Sequence, residues 1–246
     1  MRLDKYLSET GFGTRSEVKK LIRGGSVTVN GIAASKPDLH IDELSDRVCV
    51  GGNEVKYRKF IYLMLNKPQG CVSATFDRHL PTVIDLVPEE YLHFEPFPVG
   101  RLDIDTEGLL ILTNDGALSH RLLSPKSHVP KTYYAELDRP ADENDIERFR
   151  RGIVLDDFTA MPAELRLLDA GGTKTEVVIR EGKFHQVKRM FEVCGKNVTY
   201  LKRIKMNNLP LDEGLPLGKV RELTPHELEM LTSTNPNIMK GADEND

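Results

Sequence analysis

The chain has 246 residues, a formal net charge of −4, 39% hydrophobic residues and 29% charged residues. This composition is typical of a globular protein with room for one large and one small domain, and it excludes a simple polycation that coats nucleic acid. No apolar run is long enough to span a bilayer, and no hydrophobic region of a secretory signal follows Met1. Cys49, Cys71 and Cys194 lie far apart without metal-ligand spacing, which favours a reducing, cytoplasmic location and no structural zinc.

The first thirty residues predict two short helices followed by a hairpin. The first helix covers residues 3–8, and the second runs from Arg15 to about Arg23. Thr14 precedes the second helix, and Glu17 completes a capping box with it. Asn30-Gly31 predicts a tight turn after a short strand.

Basic residues are concentrated in two parts of the chain. Residues 1–36 contain seven basic and three acidic side chains, and residues 180–205 contain eight and two. On the second helix, basic residues recur at a spacing of four, which suits evenly spaced phosphate contacts. A solvated helix face is the alternative interpretation.

The remainder of the chain predicts a larger domain after a charged linker at residues 56–59. Strands are predicted at 60–65, 109–112, 132–137, 175–179 and 199–203, and helices at 117–123, 142–150, 185–194 and 226–231. Because strands and helices mix without a regular alternation, we expect an α+β fold with a mainly antiparallel sheet. Asn114-Asp115-Gly116 predicts a hairpin turn, and the polar tail 233–246 is predicted to be disordered.

An acidic residue, Asp103, lies in a short polar loop before the apolar strand at 109–112, with Arg101 two positions earlier. A carboxylate held beside a rigid strand is a candidate catalytic group. An aspartate that caps a turn is the alternative.

Four segments, in this order, resemble the conserved motifs of ribosomal pseudouridine synthases that carry an N-terminal S4 domain. They are Asn66-Lys67-Pro68-Gln69-Gly70, Gly100-Arg101-Leu102-Asp103, Lys131-Thr132-Tyr133 and the segment from Glu181 to Phe191. The resemblance extends from Met1 to about Leu228. Lys188-Arg189 and the segment 103–106 most resemble the RsuA-type branch, which acts on 16S ribosomal RNA, whereas large-subunit relatives more often have two arginines at 188 and 189.

The resemblance implies an isomerase that converts a uridine of 16S ribosomal RNA to pseudouridine after flipping the nucleotide, without cofactor or metal. It also implies a small S4 (α-L) RNA-binding domain with its linker at 1–59. A larger catalytic domain at 60–232 then has a mixed, mainly antiparallel sheet, flanking helices and a central cleft. The expected partner is 16S ribosomal RNA or a small-subunit assembly intermediate. The protein is expected to be a monomer and not to bind membranes.

The motif match assigns roles to individual side chains. Asp103 is the catalytic carboxylate, and Tyr133 is the ring on which the uracil stacks. A cation keeps a sheltered carboxylate ionised, and Lys188 is the expected partner of Asp103. The other expected substrate contacts are Arg101, which enters the space that the nucleotide leaves, Arg189 and Lys67. Lys67, with Pro68 and Gly70, also looks like part of a loop that shapes the backbone at the cleft rim.

Alternative roles, structural or in binding phosphates, stay open for the same residues. Tyr133 also fits a core strand, and Arg101, Lys188 and Arg189 also fit phosphate contacts. Asp105 is expected to be exposed or to cap a turn, Tyr134 to be structural, and His120 and His185 to be structural or to contact RNA. The S4 match adds expected RNA contacts at Arg2, Lys5, Arg15, Ser16, Lys19, Lys20, Arg23 and Asn30.

Three other functions compete with the leading one. The first is the same reaction on 23S ribosomal RNA. The second is a non-catalytic S4-domain factor in ribosome assembly. The third is a metal-dependent nuclease in which Asp103 and Asp105 share a metal ion.

Overall fold

A computed structural model describes residues 1–233, and the chain divides into two compact units. One unit contains Met1–Ile61 and Pro88–Pro96, and the other contains Tyr62–Val87 and the chain from Phe97 onward. The segment Pro88–Pro96 groups with the N-terminal unit, although its position in the sequence is inside the predicted catalytic domain. The predicted disordered tail lies outside the described residues, apart from Ser233. Within residues 1–233, no helix combines the length and apolarity needed to cross a membrane.

The N-terminal unit packs two helices against a small antiparallel sheet with strand order β2-β1-β3-β4. Its elements are α1 (Leu3–Glu9), α2 (Arg15–Arg23), β1 (Val27–Val29), β2 (Ile32–Ala33), β3 (Val48–Val50) and β4 (Asn53–Val55). The predicted capping box is confirmed: the Glu17 amide donates to Thr14 Oγ1, and the Thr14 amide donates to the Glu17 carboxylate. Val18 and Ile22 are fully buried in the core of this unit, so α2 turns its basic side chains outward.

The larger unit contains a nine-stranded sheet, and the remaining elements follow in chain order. These are β5 (Tyr62–Lys67), a 3₁₀ helix (Val83–Leu86), α3 (Glu89–Leu92, within the segment that joins the N-terminal unit), β6 (Phe97–Pro98), β7 (Glu107–Thr113), α4 (Gly116–Leu123), a 3₁₀ turn (Pro125–Ser127), β8 (Lys131–Leu137), α5 (Glu143–Arg151), β9 (Glu164–Leu167), β10 (Lys174–Ile179), α6 (Gln186–Val193), β11 (Val198–Met206), β12 (Leu209–Pro210), β13 (Val220–Glu222) and α7 (Pro225–Thr232).

The sheet order is β13-β5-β7-β11-β8-β10-β9, with β12 beside β11 and β6 beside β7. Only the β7–β11 pair of the described residues is parallel, so the predicted α+β fold with a mainly antiparallel sheet is confirmed. The predicted strand at 109–112 is fully buried, as its apolar sequence indicates. The sequence did not predict β9, β13 or the two-residue strands β6 and β12.

The hairpin predicted at Asn114-Asp115-Gly116 is wrong. Asp115 is the N-cap of α4, and its Oδ1 accepts a hydrogen bond from the Leu118 amide at 3.0 Å. An aspartate followed by glycine suits a turn or an N-cap equally well, and the tertiary structure decides between them. Here β7 pairs with β5, β6 and β11, and the chain after β7 continues into a helix.

Strand β11 contains a bulge beside the strand that carries Tyr133. Arg203 lies opposite Tyr133, and the next aligned pair is Lys205 with Thr132, so Ile204 is an additional residue. Gly108 lies beside this point on β7, and a Cβ there would be 2.2 Å from the Arg203 carbonyl oxygen. Two backbones therefore approach each other at a position that only glycine permits.

Candidate active site

The loop that carries Asp103 is held rigidly between β6 and β7. The Ser73 hydroxyl donates to the Leu102 carbonyl at 2.9 Å and accepts from the Leu102 amide at 3.0 Å. The Gly70 amide donates to the Ile104 carbonyl at 2.8 Å. Gly70 of the first motif segment and Ser73, three residues after it, thus fix the backbone on both sides of Asp103.

Lys67 supports the same loop from behind. Its side chain is fully buried, and its ammonium donates to the carbonyl oxygens of Pro68, Asp103 and Thr106 at 3.1, 3.0 and 3.1 Å. Burial lowers the pKa of this ammonium. The predicted substrate contact at Lys67 is therefore replaced by a structural one, because all three hydrogen bonds go to the main chain.

The Asp103 carboxylate lies between two basic side chains. Lys188 Nζ is 3.9 Å from Oδ2, and His185 Nε2 is 3.6 Å from Oδ1. The side chain of Asp103 is 26% exposed, so it is sheltered but still open to an incoming group. His185 was not expected to lie beside this carboxylate. It reaches Asp103 from the position immediately before α6, where its backbone is left-handed with φ of 50°.

The predicted Asp103–Lys188 pair exists, but the shorter contact of Lys188 is to Asp105. Lys188 Nζ lies 2.6 Å from Asp105 Oδ1, and the Asp105 side chain is 60% exposed. Partial burial opposes ionisation of Asp105, but the hydrogen bond and charge of Lys188 outweigh it and lower the pKa of this carboxyl. The Lys188 ammonium therefore pairs with both carboxylates, Asp103 and Asp105. It occupies the position between them that a shared metal ion would need. Within residues 1–233, no three His, Cys, Asp or Glu side chains form a metal-binding group.

A cavity of about 390 Å³ opens beside Asp103. Tyr133 lines it and is 7% exposed, and Arg101 lies on its wall with an exposed side chain. Tyr134 points away from the cavity, as strand alternation predicts, and its hydroxyl donates to Glu136 Oε1 at 2.7 Å. The structure thus brings Asp103, Arg101, Tyr133 and the basic side chains beside Asp103 to one cavity.

Two of the named side chains lie away from this cavity. Arg189 forms an ion pair with Asp157 and covers the Phe158 ring at 5.4 Å, which places it on the outer surface of α6. The predicted substrate contact at Arg189 therefore finds no support in the cavity lining. His120 is exposed on α4, in keeping with a role outside the site.

Two further cations in the cavity were not singled out by the sequence. Lys131 is 8% exposed and Arg203 is 2% exposed, and both line the cavity. Burial and the nearby charge of Arg203 lower the pKa of Lys131 to about 8, against a smaller opposing effect of Glu181. Lys131 belongs to the second motif, whereas Arg203 appeared only as one of the basic residues of 180–205.

The predicted RNA contacts of the N-terminal unit fall into two groups. On α2, Arg15, Lys20 and Arg23 are exposed and Lys19 is half-buried, and none of the four forms an ion pair within residues 1–233. Ser16 is exposed on the same helix.

The other predicted contacts have partners inside the unit. Arg2 hydrogen-bonds Asp4 at 2.9 and 3.0 Å, and Lys5 lies 3.6 Å from Glu9. The Asn30 side chain, in the turn between β1 and β2, donates to Asp46 and accepts from the backbone amide of residue 47, both just before β3. The outward face of α2 is thus the least neutralised part of the predicted RNA surface.

Comparison with known proteins identifies both units. Residues 61–193 match the family model described as RNA pseudouridylate synthase, and residues 1–48 match the S4 domain. An uncharacterized RNA pseudouridine synthase of Bacillus subtilis, YtzG, is 48% identical over 94% of this chain and 98% of its own length. The ribosomal small subunit pseudouridine synthase A of Haemophilus influenzae is 39% identical over 94% of this chain and 99% of its own length.

A second Bacillus subtilis protein, ribosomal large subunit pseudouridine synthase B, is 36% identical over 94% of this chain and 95% of its own length. A crystal structure of a pseudouridylate synthase matches with a TM-score of 0.66 and 38% identity, over 94% of this chain and 99% of that one. With the cavity around Asp103 and Tyr133, these matches show that the chain belongs to the RNA pseudouridine synthase family and is an isomerase with an N-terminal S4 domain.

Proposed function

We propose that this protein converts a specific uridine of 16S ribosomal RNA to pseudouridine, with Asp103 as the essential carboxylate. The observation that carries the proposal is the position of Asp103, which lies between Lys188 and His185 at the edge of a cavity lined by Tyr133. The resemblance of positions 103–106 and 188–189 to the RsuA-type branch supports the small subunit as the source of the RNA. So does the likeness to a relative named for that subunit.

The reaction exchanges one bond for another at the same sugar carbon. The bond from C1′ to N1 of the uracil breaks, the base turns, and a bond from C1′ to C5 forms; C5 then loses its hydrogen to solvent as a proton, and N1 takes up a proton from solvent. Asp103 acts in this exchange as nucleophile or base, and its carboxylate lies 3.9 Å from Lys188 Nζ and 3.6 Å from His185 Nε2. No oxidant or reductant takes part, because the uracil is only rearranged.

The target uridine reaches the cavity by leaving the RNA stack. Unstacking and unpairing a nucleotide costs a few kcal/mol, and stacking of the base on an aromatic ring returns about 1–3 kcal/mol. Tyr133 provides that ring, and Arg101 lies at the wall where an exposed guanidinium can fill the vacated space.

The outward face of α2 binds phosphates of the RNA other than those of the uridine in the cavity. Its four basic residues lie on one nine-residue helix and form no ion pair within residues 1–233, so they fit a row of phosphates. We infer that the enzyme acts as a monomer on 16S ribosomal RNA or on a small-subunit assembly intermediate. Because the proposed substrate is ribosomal RNA, we also propose that the protein acts in the cytoplasm during ribosome biogenesis.

The test measures tritium release from RNA transcripts that carry tritium at C5 of uridine. The wild-type protein is expected to release tritium from a 16S transcript and not from a 23S transcript. Asp103→Asn should abolish release while RNA binding remains, and Asp105→Asn, the matched change two residues along the same loop, should keep most of the turnover. Release that survives Asp103→Asn contradicts the assignment of the carboxylate.

Two outcomes would replace the proposal with its rivals. Release from the 23S transcript alone would identify a large-subunit enzyme, an alternative that the likeness to ribosomal large subunit pseudouridine synthase B supports. RNA binding without any release from either transcript or from ribosomal precursor particles would indicate a non-catalytic assembly factor.

A further inference from the structure

Two buried cations lie next to Tyr133 on the same face of the sheet. Arg203 of β11 is directly opposite Tyr133, and Lys131 lies two residues before Tyr133 on β8. Ile179 of β10 is opposite Lys131 and also lines the cavity. Side chains two residues apart on a strand, or directly opposite on neighbouring strands, share one face of the sheet. The floor of the cavity therefore combines an aromatic ring with two positive charges.

These cations retain hydrogen-bond donors that the described protein does not use. Arg203 Nε donates to the Leu109 carbonyl at 2.8 Å, but its buried Nη2 has no partner. Lys131 Nζ donates once, to the Val129 carbonyl at 3.0 Å, and an ammonium has three donors. Thr106 Oγ1 and His128 Nδ1, which also belong to residues of the cavity wall, are buried without partners as well.

No acidic group of the described chain neutralises this pair directly. The charge of Glu181 favours the charged form of Lys131, but less than burial and Arg203 oppose it. Its Oε1 already accepts hydrogen bonds from the Met161 amide and from Gln186 Nε2, both at 2.7 Å. Two adjacent cations with unused donors in a sheltered cavity are destabilising unless an anionic group completes the site.

We propose that Lys131 and Arg203 form a subsite that binds the carbonyl oxygens of the target uracil and stabilises the negative charge that the base carries during the reaction. This inference rests on the proposed function. If the C1′–N1 bond breaks first, its electron pair leaves with the base and is delocalised onto O2 and O4. If Asp103 instead attacks the ring, the displaced electron pair again moves onto a carbonyl oxygen. The two cations therefore stabilise the reacting base by either route.

The position of the subsite favours the base over a backbone phosphate. Arg203 is 2% exposed and its strand position places it beside the ring of Tyr133, so a base that stacks on this ring lies next to the guanidinium. Donors placed where charge develops stabilise the transition state more than the bound substrate. Loss of Lys131 should thus slow the reaction and leave RNA affinity nearly unchanged.

The test compares Lys131→Met, Lys131→Arg and Lys202→Met in single-turnover tritium release from the 16S transcript. Lys131→Met should lower the rate constant about 100-fold, the usual effect of losing one charge-stabilising donor, with RNA affinity within about twofold of wild type. Lys131→Arg retains the charge and should recover most of the rate. A groove lined by Thr132, Glu176 and Lys205 lies on the other face of the sheet, and Lys202 of β11 lines it. Lys202→Met is therefore the matched control and should stay near the wild-type rate.

A pH profile adds a measurement that a structural role would not change. Two charged groups face Lys131: Arg203, on β11, and Glu181, in the loop before α6. The wild-type rate with subsaturating RNA should fall above about pH 8, because the Lys131 ammonium then loses its proton. In Lys131→Arg this fall should move to higher pH, because a guanidinium stays charged. Lys131→Gln is a second neutral variant, and circular dichroism verifies the fold of each protein.

Each outcome decides the matter. Equal rates for wild type, Lys131→Met and Lys131→Gln would overturn the subsite. So would equal losses in the neutral variants and Lys131→Arg, since shape and not charge would then matter. A loss that appears in RNA affinity and not in the rate constant would identify a phosphate contact instead. Failure of the proposed function itself is distinct, because the wild-type protein would then release no tritium.

Discussion

Lys131 is expected to decrease the stability of the folded protein. Burial beside Arg203 lowers its pKa from 10.5 to about 8, so the charged form is destabilised in the folded state. That difference corresponds to about 3 kcal/mol at neutral pH, since each pKa unit is worth about 1.4 kcal/mol. Lys131→Met removes the charge and retains the length, but it leaves the Val129 carbonyl without its donor, at a cost of roughly 1 kcal/mol. We expect the variant to be about 2 kcal/mol more stable than wild type at neutral pH.

The pH dependence gives this prediction a definite sign. Between the lowered pKa of about 8 and the ordinary value of 10.5, the unfolded chain holds the proton at Lys131 more tightly than the folded protein does. Wild-type stability therefore gains from this group as the pH rises through that window. The advantage of Lys131→Met should shrink to nearly zero at about pH 9.5, where the unfavourable contribution of the charge has fallen to about half.

Urea unfolding followed by circular dichroism measures both effects, and the protein contains no tryptophan that would allow the usual fluorescence assay. The comparison uses full-length wild type, Lys131→Met and the control Lys202→Met at neutral pH and at about pH 9.5. A variant less stable than wild type at neutral pH, or an advantage that does not change with pH, would show that Lys131 is not held in a destabilised charged state. A variant that is more stable but less active would reveal a site in which function opposes stability.

Three other changes test separate parts of the structure. Lys67→Met should destabilise the protein by roughly 3 kcal/mol in the same urea assay and abolish turnover, because buried carbonyl oxygens, including that of Asp103, lose their donor. Unchanged stability would refute the supporting role. Gly108→Ala should destabilise by roughly 2 kcal/mol or more, since the new Cβ meets the Arg203 carbonyl at φ of +102°, and Gly25→Ala, which meets no neighbour, is its control. A triple variant replaces three basic residues of α2, Arg15, Lys19 and Arg23, with glutamine. It should bind RNA more weakly, and the slope of log affinity against log salt should become shallower by roughly 2. An unchanged slope would exclude phosphate contacts on this helix.

Features that depend on short-range chemistry were predictable from the sequence. The capping box at Thr14 and Glu17 marks the start of α2, because its two hydrogen bonds join residues three apart. The buried strand β7 is an uninterrupted apolar run, and the motif segments place Asp103 and Tyr133 at one cavity through their resemblance to a known family.

Features that depend on strand pairing were not predictable. Asp115 suits a turn and an N-cap equally, and the pairing of β7 with earlier and later strands decides between them. Lys67 looks like any basic residue at a cleft, yet its position in a buried strand turns its ammonium towards main-chain carbonyls. The preference of Lys188 for Asp105 over Asp103 depends on about one ångström of geometry that no residue pattern encodes.

Arg203 shows the same difficulty at the level of the sheet. Its sequence neighbours, Lys202 and Lys205, are equally basic, and only the strand register decides which charge enters the cavity. Counting charges along 180–205 therefore identifies a basic region without separating a buried subsite from an exposed groove.

The bulge at Ile204 decides on which face of the sheet Lys205 lies. Without the bulge, the same residues in an unbroken ladder would pair Ile204 with Thr132 and Lys205 with Lys131 on the cavity face, where a third positive charge would join the two already present. With it, Ile204 and Lys205 both line the groove on the opposite face. One irregular residue in the middle of a strand thus keeps the number of charges in the cavity at two.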